Sequence, residues 1–267
     1  MPEPPANILA FADRPWLIAI IAMVLIAAVA LPAASADPPG AMVNPQTGLA
    51  RMTGGFKVGL SLSQHQGVED PRLPYTVDSE YRQGIAVGAF LQLPVTERFG
   101  LQQEVLYVQK GSRQAIGVEI LDIPTTLDVV YDLDYLEIPL LLRYVWLRGR
   151  RLDAYSLGGF AFALKVKDHY RLRGLVVGEE DQAPVRADAA MDEVDIFDFA
   201  FVYGMGLEMP VWGKRLFLEY RFSLSLDRLP LPTYAYVPFG ADEEILIENE
   251  PVPLRNQAHG ILLGIRF

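Results

Sequence analysis

The chain contains no cysteine and only three histidines. Without thiols there can be no disulfide staple, thiolate metal site or cysteine nucleophile, so stability in an exported protein must come from backbone pairing and packing. Basic residues are also few, 23 Lys and Arg against 33 Asp and Glu, and the formal charge of −10 excludes the broad basic footprint that a nucleic-acid partner requires. Long apolar runs are missing beyond residue 31, where no segment reaches the roughly 18 consecutive apolar residues of a membrane-crossing helix. Yet 51% of the residues are hydrophobic and the mean hydropathy is +0.19. That hydrophobicity must therefore be spread over short segments.

The one long run, Trp16 to Leu31, follows Arg14 and precedes Ala34-Ser35-Ala36. It is short for a spanning helix, and the small residues at Ala34 and Ala36 have signal-peptidase spacing, so the run reads as a secretory signal cleaved before Asp37. An uncleaved anchor helix is the competing reading. Residues 1–36 are thus expected to be a signal peptide, 37–53 a periplasmic N-terminal segment, and 54–267 a single β-barrel domain.

Within that domain the apolar residues recur at period two, the spacing of a strand with different surroundings on its two faces. At the C-terminal end Ile261, Leu263, Ile265 and Phe267 share one side and Gly260, Leu262, Gly264 and Arg266 the other. Closing on an aromatic strand residue is also a habit of bacterial outer-membrane barrels. Seven further strands follow the same rule, over 54–64, 82–95, 99–110, 133–146, 153–166, 196–209 and 214–226. The fourth is the clearest, with Leu136, Ile138, Leu140, Leu142, Tyr144 and Trp146 facing one way and Tyr135, Glu137, Leu141 and Arg143 the other. In the third, Gln103 interrupts an otherwise apolar face; in the fifth, Gly158-Gly159 leaves the facing open; in the fourth, Pro139 predicts a bulge or a missing ladder bond.

The links near Pro94, Arg148 and Val211 are tight, while those near Pro71, Gly117, Gly178 and Pro238 are long. Short turns on one rim and long loops on the other, with an even strand count, describe an outer-membrane barrel. A soluble ligand-binding barrel would turn its apolar face inward. Here the opposite faces carry Lys57, Glu104, Glu137, Arg143, Glu208, Glu219, Arg221 and Arg266, a poor lining for an apolar ligand. Trp146, Trp212 and Phe99 beside tight turns, and Tyr107 and Tyr135 toward the long-loop ends, suit the two membrane interfaces. The expected fold class is all-β, an eight-stranded antiparallel up-and-down transmembrane β-barrel following a signal peptide.

The run Asp134-Tyr-Leu-Glu-Ile-Pro-Leu-Leu-Leu-Arg-Tyr144 resembles the PorT-like outer-membrane β-barrel family. So do the first strand Gly54-Gly-Phe-Lys-Val-Gly59, the glycine-interrupted Tyr155 to Leu164, Asp198 to Gly206, and Leu218-Glu-Tyr-Arg-Phe222. The resemblance covers most of the mature chain. It implies an outer-membrane location and an eight-stranded barrel, and, from the family's name, an accessory role in envelope secretion; it carries over no catalytic or ligand residue.

Threading the strands up and down places Glu104, Glu137, Glu219 and Arg221 at mid-height inside the barrel and Lys57, Arg143, Glu208 and Arg266 nearer the periplasm. An eight-stranded bore is just wide enough for side chains, so these charges should pair and plug it. The acidic clusters Glu179-Glu-Asp181, Asp192-Glu193 and Asp242-Glu-Glu244 fall in the long loops, and Arg148, Arg150, Arg151, Lys214 and Arg215 at the tight turns. The loop carboxylates could meet divalent cations that bridge lipopolysaccharide phosphates, but no spacing defines a metal site. His65, His169 and His259 sit near the outer rim, where His65 or His259 with Ser63 or Ser225 could in principle build a lipid-acyl hydrolase, although no Gly-x-Ser-x-Gly elbow supports one.

The expected function is non-enzymatic: a membrane-embedded scaffold, adhesion or envelope and secretion accessory protein acting through long acidic extracellular loops. A small-solute channel and a lipid-modifying outer-membrane enzyme are the alternatives. No catalytic, cofactor-binding or metal residue is assigned, and no cofactor is expected. The expected partners are outer-membrane lipid and lipopolysaccharide, the barrel-insertion machinery and other envelope proteins.

Overall fold

The computed structural model describes residues 52–66, 76–120, 123–177, 182–190, 197–227, 229–239 and 243–267. The expected signal peptide, and the segment 37–53 apart from Met52 and Thr53, lie outside them. Ten strands are present: β1 Thr53–Gln66, β2 Thr76–Pro94, β3 Phe99–Ile120, β4 Ile123–Arg148, β5 Asp153–Val177, β6 Gln182–Ala190, β7 Phe197–Val211, β8 Lys214–Ser225, β9 Leu229–Phe239 and β10 Glu243–Arg266. Eight of them close a ring in the order β1-β2-β3-β4-β5-β7-β8-β10, with every pairing antiparallel. The ring shuts where β1 meets β10, from Gly55 opposite Arg266 to Gln66 opposite Arg255. Closure removes the unpaired edges that an open sheet would present, so no backbone donor need face lipid.

The alternation read from the sequence is the alternation of exposure. Along β7 each residue from Phe197 to Glu208 switches between exposed and buried. The exposed set is the greasy one: Phe197, Leu140, Leu218 and Leu263 are between 51% and 57% exposed, whereas Glu104, Glu208 and Glu219 are 1% exposed. In water this would be an inside-out protein. It is stable only with hydrocarbon outside, where apolar side chains face lipid and the charges satisfy one another within.

Among the described residues no helix is long and apolar enough to cross a membrane. On β4 the lipid-facing set runs from Trp146 to Leu136; ten residues at ~3.4 Å each, tilted ~45°, span about 24 Å of membrane normal, which matches the ~25 Å apolar band of such barrels. Tight turns close the lower rim. Val211 pairs Lys214 across Trp212 and Gly213, whose positive φ values of 49° and 75° are those of a type I′ hairpin turn, and Trp212 is left 96% exposed where a lipid interface would lie.

Four readings are corrected. First, two strands were missed, and β3, β4, β5 and β10 run well beyond the expected ends, so that β3 and β4 stay paired as far as Ile120 and Ile123. The link placed near Gly117 is thus mostly strand, because its residues keep a period-two pattern after the solvent outside changes. Second, the bore is not purely ionic: Phe90, Leu141, Tyr155, Leu157, Val202 and Phe217 form a buried apolar cluster inside it. Third, Tyr135 points into the bore at 1% exposure instead of toward the interface. Fourth, Lys57 belongs to the mid-height charges, while Glu137 pairs higher up with Lys110, because a long lysine stem reaches well past its own Cα.

The facing left open in the fifth strand is resolved. Tyr155, Leu157, Ala161 and Ala163 face in and Phe160 and Phe162 face out, with Gly159 paired to Leu141 between them. At Pro139 the β3–β4 ladder has a gap between the pairs Gln103–Leu140 and Leu106–Glu137, with no change of register. A missing ladder bond, not a bulge, is the consequence of the proline.

Candidate functional site

Two regions could carry function, the bore and the part of the wall above the membrane. At mid-height the bore is filled by two cations and two carboxylates. Lys57 Nζ lies 2.9 Å from Glu104 Oε1 and 3.1 Å from Glu219 Oε1. Arg221 grips Glu104 with both terminal nitrogens, at 2.7 and 2.9 Å, and reaches Glu219 Oε1 at 2.7 Å. Tyr155 donates to the other Glu219 oxygen, Oε2, at 3.1 Å, and Gln102 adds a further donor to Glu104 Oε1 at 2.6 Å. The Lys57 ammonium also sits 5.3 Å from the ring centre of Phe90. Charges cancel, the bidentate geometry is good, and neither Lys57 nor Glu104 exposes any side-chain surface.

Nearer the tight-turn rim Glu208 gathers Arg143 at 2.5 Å and Arg266 at 2.7 Å, while Arg215 joins it to Asp153. The Arg143 guanidinium stacks 3.9 Å from the Tyr155 ring centre, which ties this layer to the one above. A cavity of about 10 Å³ among Gln92, Gln102, Arg143, Tyr155 and Glu208 has room for about one water. Higher still Lys110 pairs Glu137 at 2.5 Å. Opposite charges thus meet at both expected levels and at a third.

Above the membrane band the facing inverts. Ile116, Leu127, Val129 and Leu172 are buried inside, while Arg113, Asp128 and Arg173 are exposed outside. This is the pattern of a sheet in water. From Leu136 to Ile123 the wall rises by about 30 Å, thirteen residues at the same ~3.4 Å and ~45° tilt. β6 extends it beside β5 from His169–Ala190 to Val177–Gln182, and β9 lies beside β10. Signals for this region were available: Leu127, Val129, Tyr131 and Leu133 alternate with Asp128, Val130 and Asp132, two of the three polar, but in the sense opposite to the lipid-facing strands.

The histidines do not meet the serines proposed for them. His65 Nδ1 pairs with Ser112 Oγ at 2.6 Å, and both residues are buried in the bore. Ser63 Oγ donates instead to the Gly111 carbonyl at 2.8 Å, and Ser225 Oγ donates to Asp198. His259 lies on the outer wall among Tyr81, Tyr220 and Phe222, with the Tyr220 hydroxyl 2.8 Å from its Nδ1. Of the acidic clusters, Glu179, Glu180, Asp181, Asp192, Glu193 and Asp242 lie outside the described residues, as do the side chains of Glu243 and Glu244. Among the described residues no group of three His, Asp or Glu is placed to hold a metal ion.

Residues 44–229 match the family model described as outer membrane protein beta-barrel domain. No curated protein matches the sequence. Solved structures of several outer-membrane proteins are similar to the chain, three of them as follows. The outer membrane protein OprG from Pseudomonas aeruginosa has a TM-score of 0.37 at 11% identity, over 81% of this chain and 94% of that one. Ail, the attachment invasion locus protein of Yersinia pestis, has 0.34 at 11%, over 80% and 98%. The outer membrane protease OmpT from Escherichia coli has 0.33 at 6%, over 80% and 96%. A ring of eight strands with lipid-facing grease and a charged bore is the shape that such a domain takes, and with the model matching well over half of its length this chain belongs to the outer membrane β-barrel domain family and resides in the outer membrane.

Proposed function

We propose that this protein is a closed, non-enzymatic anchor that holds a raised β wall above the outer membrane as a scaffold for adhesion or for assembly with another envelope component. The observation that carries this reading is the dry ion network at mid-bore. Lys57 and Glu104 are inaccessible to solvent, so an ion entering there would have to break a neutral, doubly bridged cluster. The inverted facing of β3, β4 and β5 adds a second support, since a sheet built for water serves no purpose within lipid. Leu136-Glu-Ile-Pro139 favours the PorT-like branch of the family, and with it an accessory role in envelope secretion. Reading Trp16 to Leu31 as a cleaved signal fits delivery across the inner membrane to the barrel-insertion machinery.

Among the described residues the buried His65–Ser112 pair is the arrangement that favours an enzyme, and its burial keeps it from any lipid ester. The test has two arms. In planar bilayers the purified barrel should show no steady ohmic openings, and it should release no acyl chains from labelled phospholipid. Cells carrying a barrel trimmed of 114–126 and 171–190 should keep the folded, heat-modifiable barrel but lose the surface adhesion or co-purifying partner of the full chain. Conductance abolished by Glu219→Ala, or acyl release abolished by Ser112→Ala, would overturn the proposal in favour of a channel or an enzyme.

A further inference from the structure

On the outer wall of β5 the surface changes character abruptly. Below Val166 the outward residues are Phe160, Phe162 and Leu164, opposite Leu140, Ile138 and Leu136 of β4. Between the pairs Tyr135–Lys165 and Asp134–Lys167 the strand carries one extra residue, Val166. A bulge of that kind reverses the facing of everything beyond it. Lys167, His169, Arg171 and Arg173 therefore all point outward, with Leu172 buried behind them.

Two of them, Lys167 and Arg171, converge on one carboxylate. Asp132 faces outward on β4, between the inward Tyr131 and Leu133, yet its side chain is only 8% exposed because guanidinium groups cover it. Arg171 Nη2 lies 3.0 Å from Asp132 Oδ2 and Lys167 Nζ lies 3.9 Å from the same oxygen. From the other side Arg82 reaches Asp132 Oδ1 at 2.8 Å. To do so it must pass β3 at Gly111, where a Cβ would lie 3.2 Å from Arg82 Cδ and where φ of +132° admits little but glycine. The Arg82 guanidinium is fixed further by donating to the Lys110 carbonyl.

The second outward carboxylate, Asp134, is buried and accepts from the Tyr107 hydroxyl at 2.7 Å, while the third, Asp128, is exposed opposite Arg173. The carboxylates at Asp132 and Asp134 thus form a covered floor, and Lys167 and Arg171, 29% and 40% exposed, form the accessible rim. Lys167 stands one outward rung above the last apolar pair, Leu136–Leu164, Asp132 two and Arg171, opposite Val130, three, so the cluster begins at the upper edge of the lipid-facing band. That is headgroup height in the outer leaflet, since the long-strand rim faces outward from the cell.

We propose that Arg82, Lys167 and Arg171, held around Asp132 on the outer wall of β4 and β5, bind the phosphate of an outer-leaflet phosphorylated glycolipid whose acyl chains lie on the apolar wall below. Guanidinium groups with spare donors match phosphate oxygens in a forked geometry, and a cation cluster that rises directly from the edge of the acyl band favours a lipid-borne phosphate over a soluble one. The inference depends on the outer-membrane location and not on the scaffold role.

The full mature barrel in detergent micelles can be titrated with diphosphoryl lipid A, with dephosphorylated lipid A, with phosphatidylglycerol and with inorganic phosphate. The expected result is binding of diphosphoryl lipid A that weakens about tenfold or more in Arg171→Gln and in Lys167→Gln, with Lys214→Gln at the periplasmic turn unchanged. Lys167→Gln removes only a 3.9 Å contact, so it should fold even where Arg171→Gln does not. Unchanged affinity in folded Lys167→Gln, equal binding of the dephosphorylated lipid, equal binding of phosphatidylglycerol, or displacement by millimolar inorganic phosphate would each overturn the assignment.

Discussion

The side-chain amide of Gln103 donates to the carbonyl of Pro139 at 3.0 Å and to that of Glu104 at 3.3 Å. The β3–β4 register sets Pro139 opposite Glu104, where any other residue would donate its N–H to the Glu104 carbonyl. Proline has none, and in hydrocarbon no water can take its place. Gln103, the polar exception on a lipid-facing strand, supplies the missing donor from the side. Gln103→Leu should therefore cost about 1–3 kcal/mol despite the gain of an apolar residue toward lipid. In the background of Pro139→Ala, which restores the ladder donor, the same change should cost little. Urea unfolding in lipid vesicles across the four variants gives the coupling, and simple additivity would refute the explanation.

The mid-bore network should be far more sensitive to losing one charge than its neutral total suggests. Lys57→Met leaves Glu104 and Glu219 facing a single Arg221 with no solvent exposure, a loss of about 3–5 kcal/mol for breaking a buried pair. Replacing Lys57 by Met together with Glu219 by Gln keeps the bore neutral, so the double variant should recover a large part of that loss. Unfolding midpoints in vesicles report both, and a double variant weaker than Lys57→Met would show that charge balance is not what the cluster provides.

Legibility in the sequence followed the solvent. Where one face meets hydrocarbon, as from Leu136 to Trp146 or Ile261 to Phe267, grease at period two and charge between give strand, facing and compartment together. Beyond Lys110 and before Leu133 the outer solvent is water, the apolar residues move to the inner face, and the stripe that identified the strands disappears. The basic stripe at Lys167, His169, Arg171 and Arg173 is visible in the sequence, but its facing depends on the Val166 bulge, which no local pattern marks. The eight inward charges read from the sequence do pair inside the bore, whereas the heights of Lys57 and Glu137 were not legible, because side-chain reach is comparable to the spacing between layers. The Asp132 cluster needed the sheet, since its members come from three strands.

Absence of cysteine makes orientation directly measurable. Single cysteines at Asp128, exposed on the raised wall, and at Lys214, on the tight turn, should behave oppositely in intact cells. A membrane-impermeant maleimide should label Asp128→Cys at once and Lys214→Cys only after permeabilisation. The reverse order would place the tall rim in the periplasm and remove the glycolipid assignment with it.

Deleting Val166 tests whether the bulge does more than reconcile two stretches of strand. With Val166 removed Lys167 follows Lys165 directly, so the pair Asp134–Lys167 comes straight after Tyr135–Lys165 in a regular ladder. Period-two alternation from Phe160 and Phe162 then still leaves Lys167 and Arg171 outward and Leu172 inward, so the facing of the upper wall is kept. The membrane part, fixed by the pairs from Asp153–Glu208 to Leu164–Phe197, lies below the deletion and should fold as before. Trypsin added to intact cells should therefore spare Arg171 and Arg173 in the deletion variant as in the parent, while both keep the heat-modifiable mobility of a closed barrel. Cleavage at those arginines in the deletion variant alone would mean that the upper wall needs the bulged geometry itself and not merely the facing on its two sides.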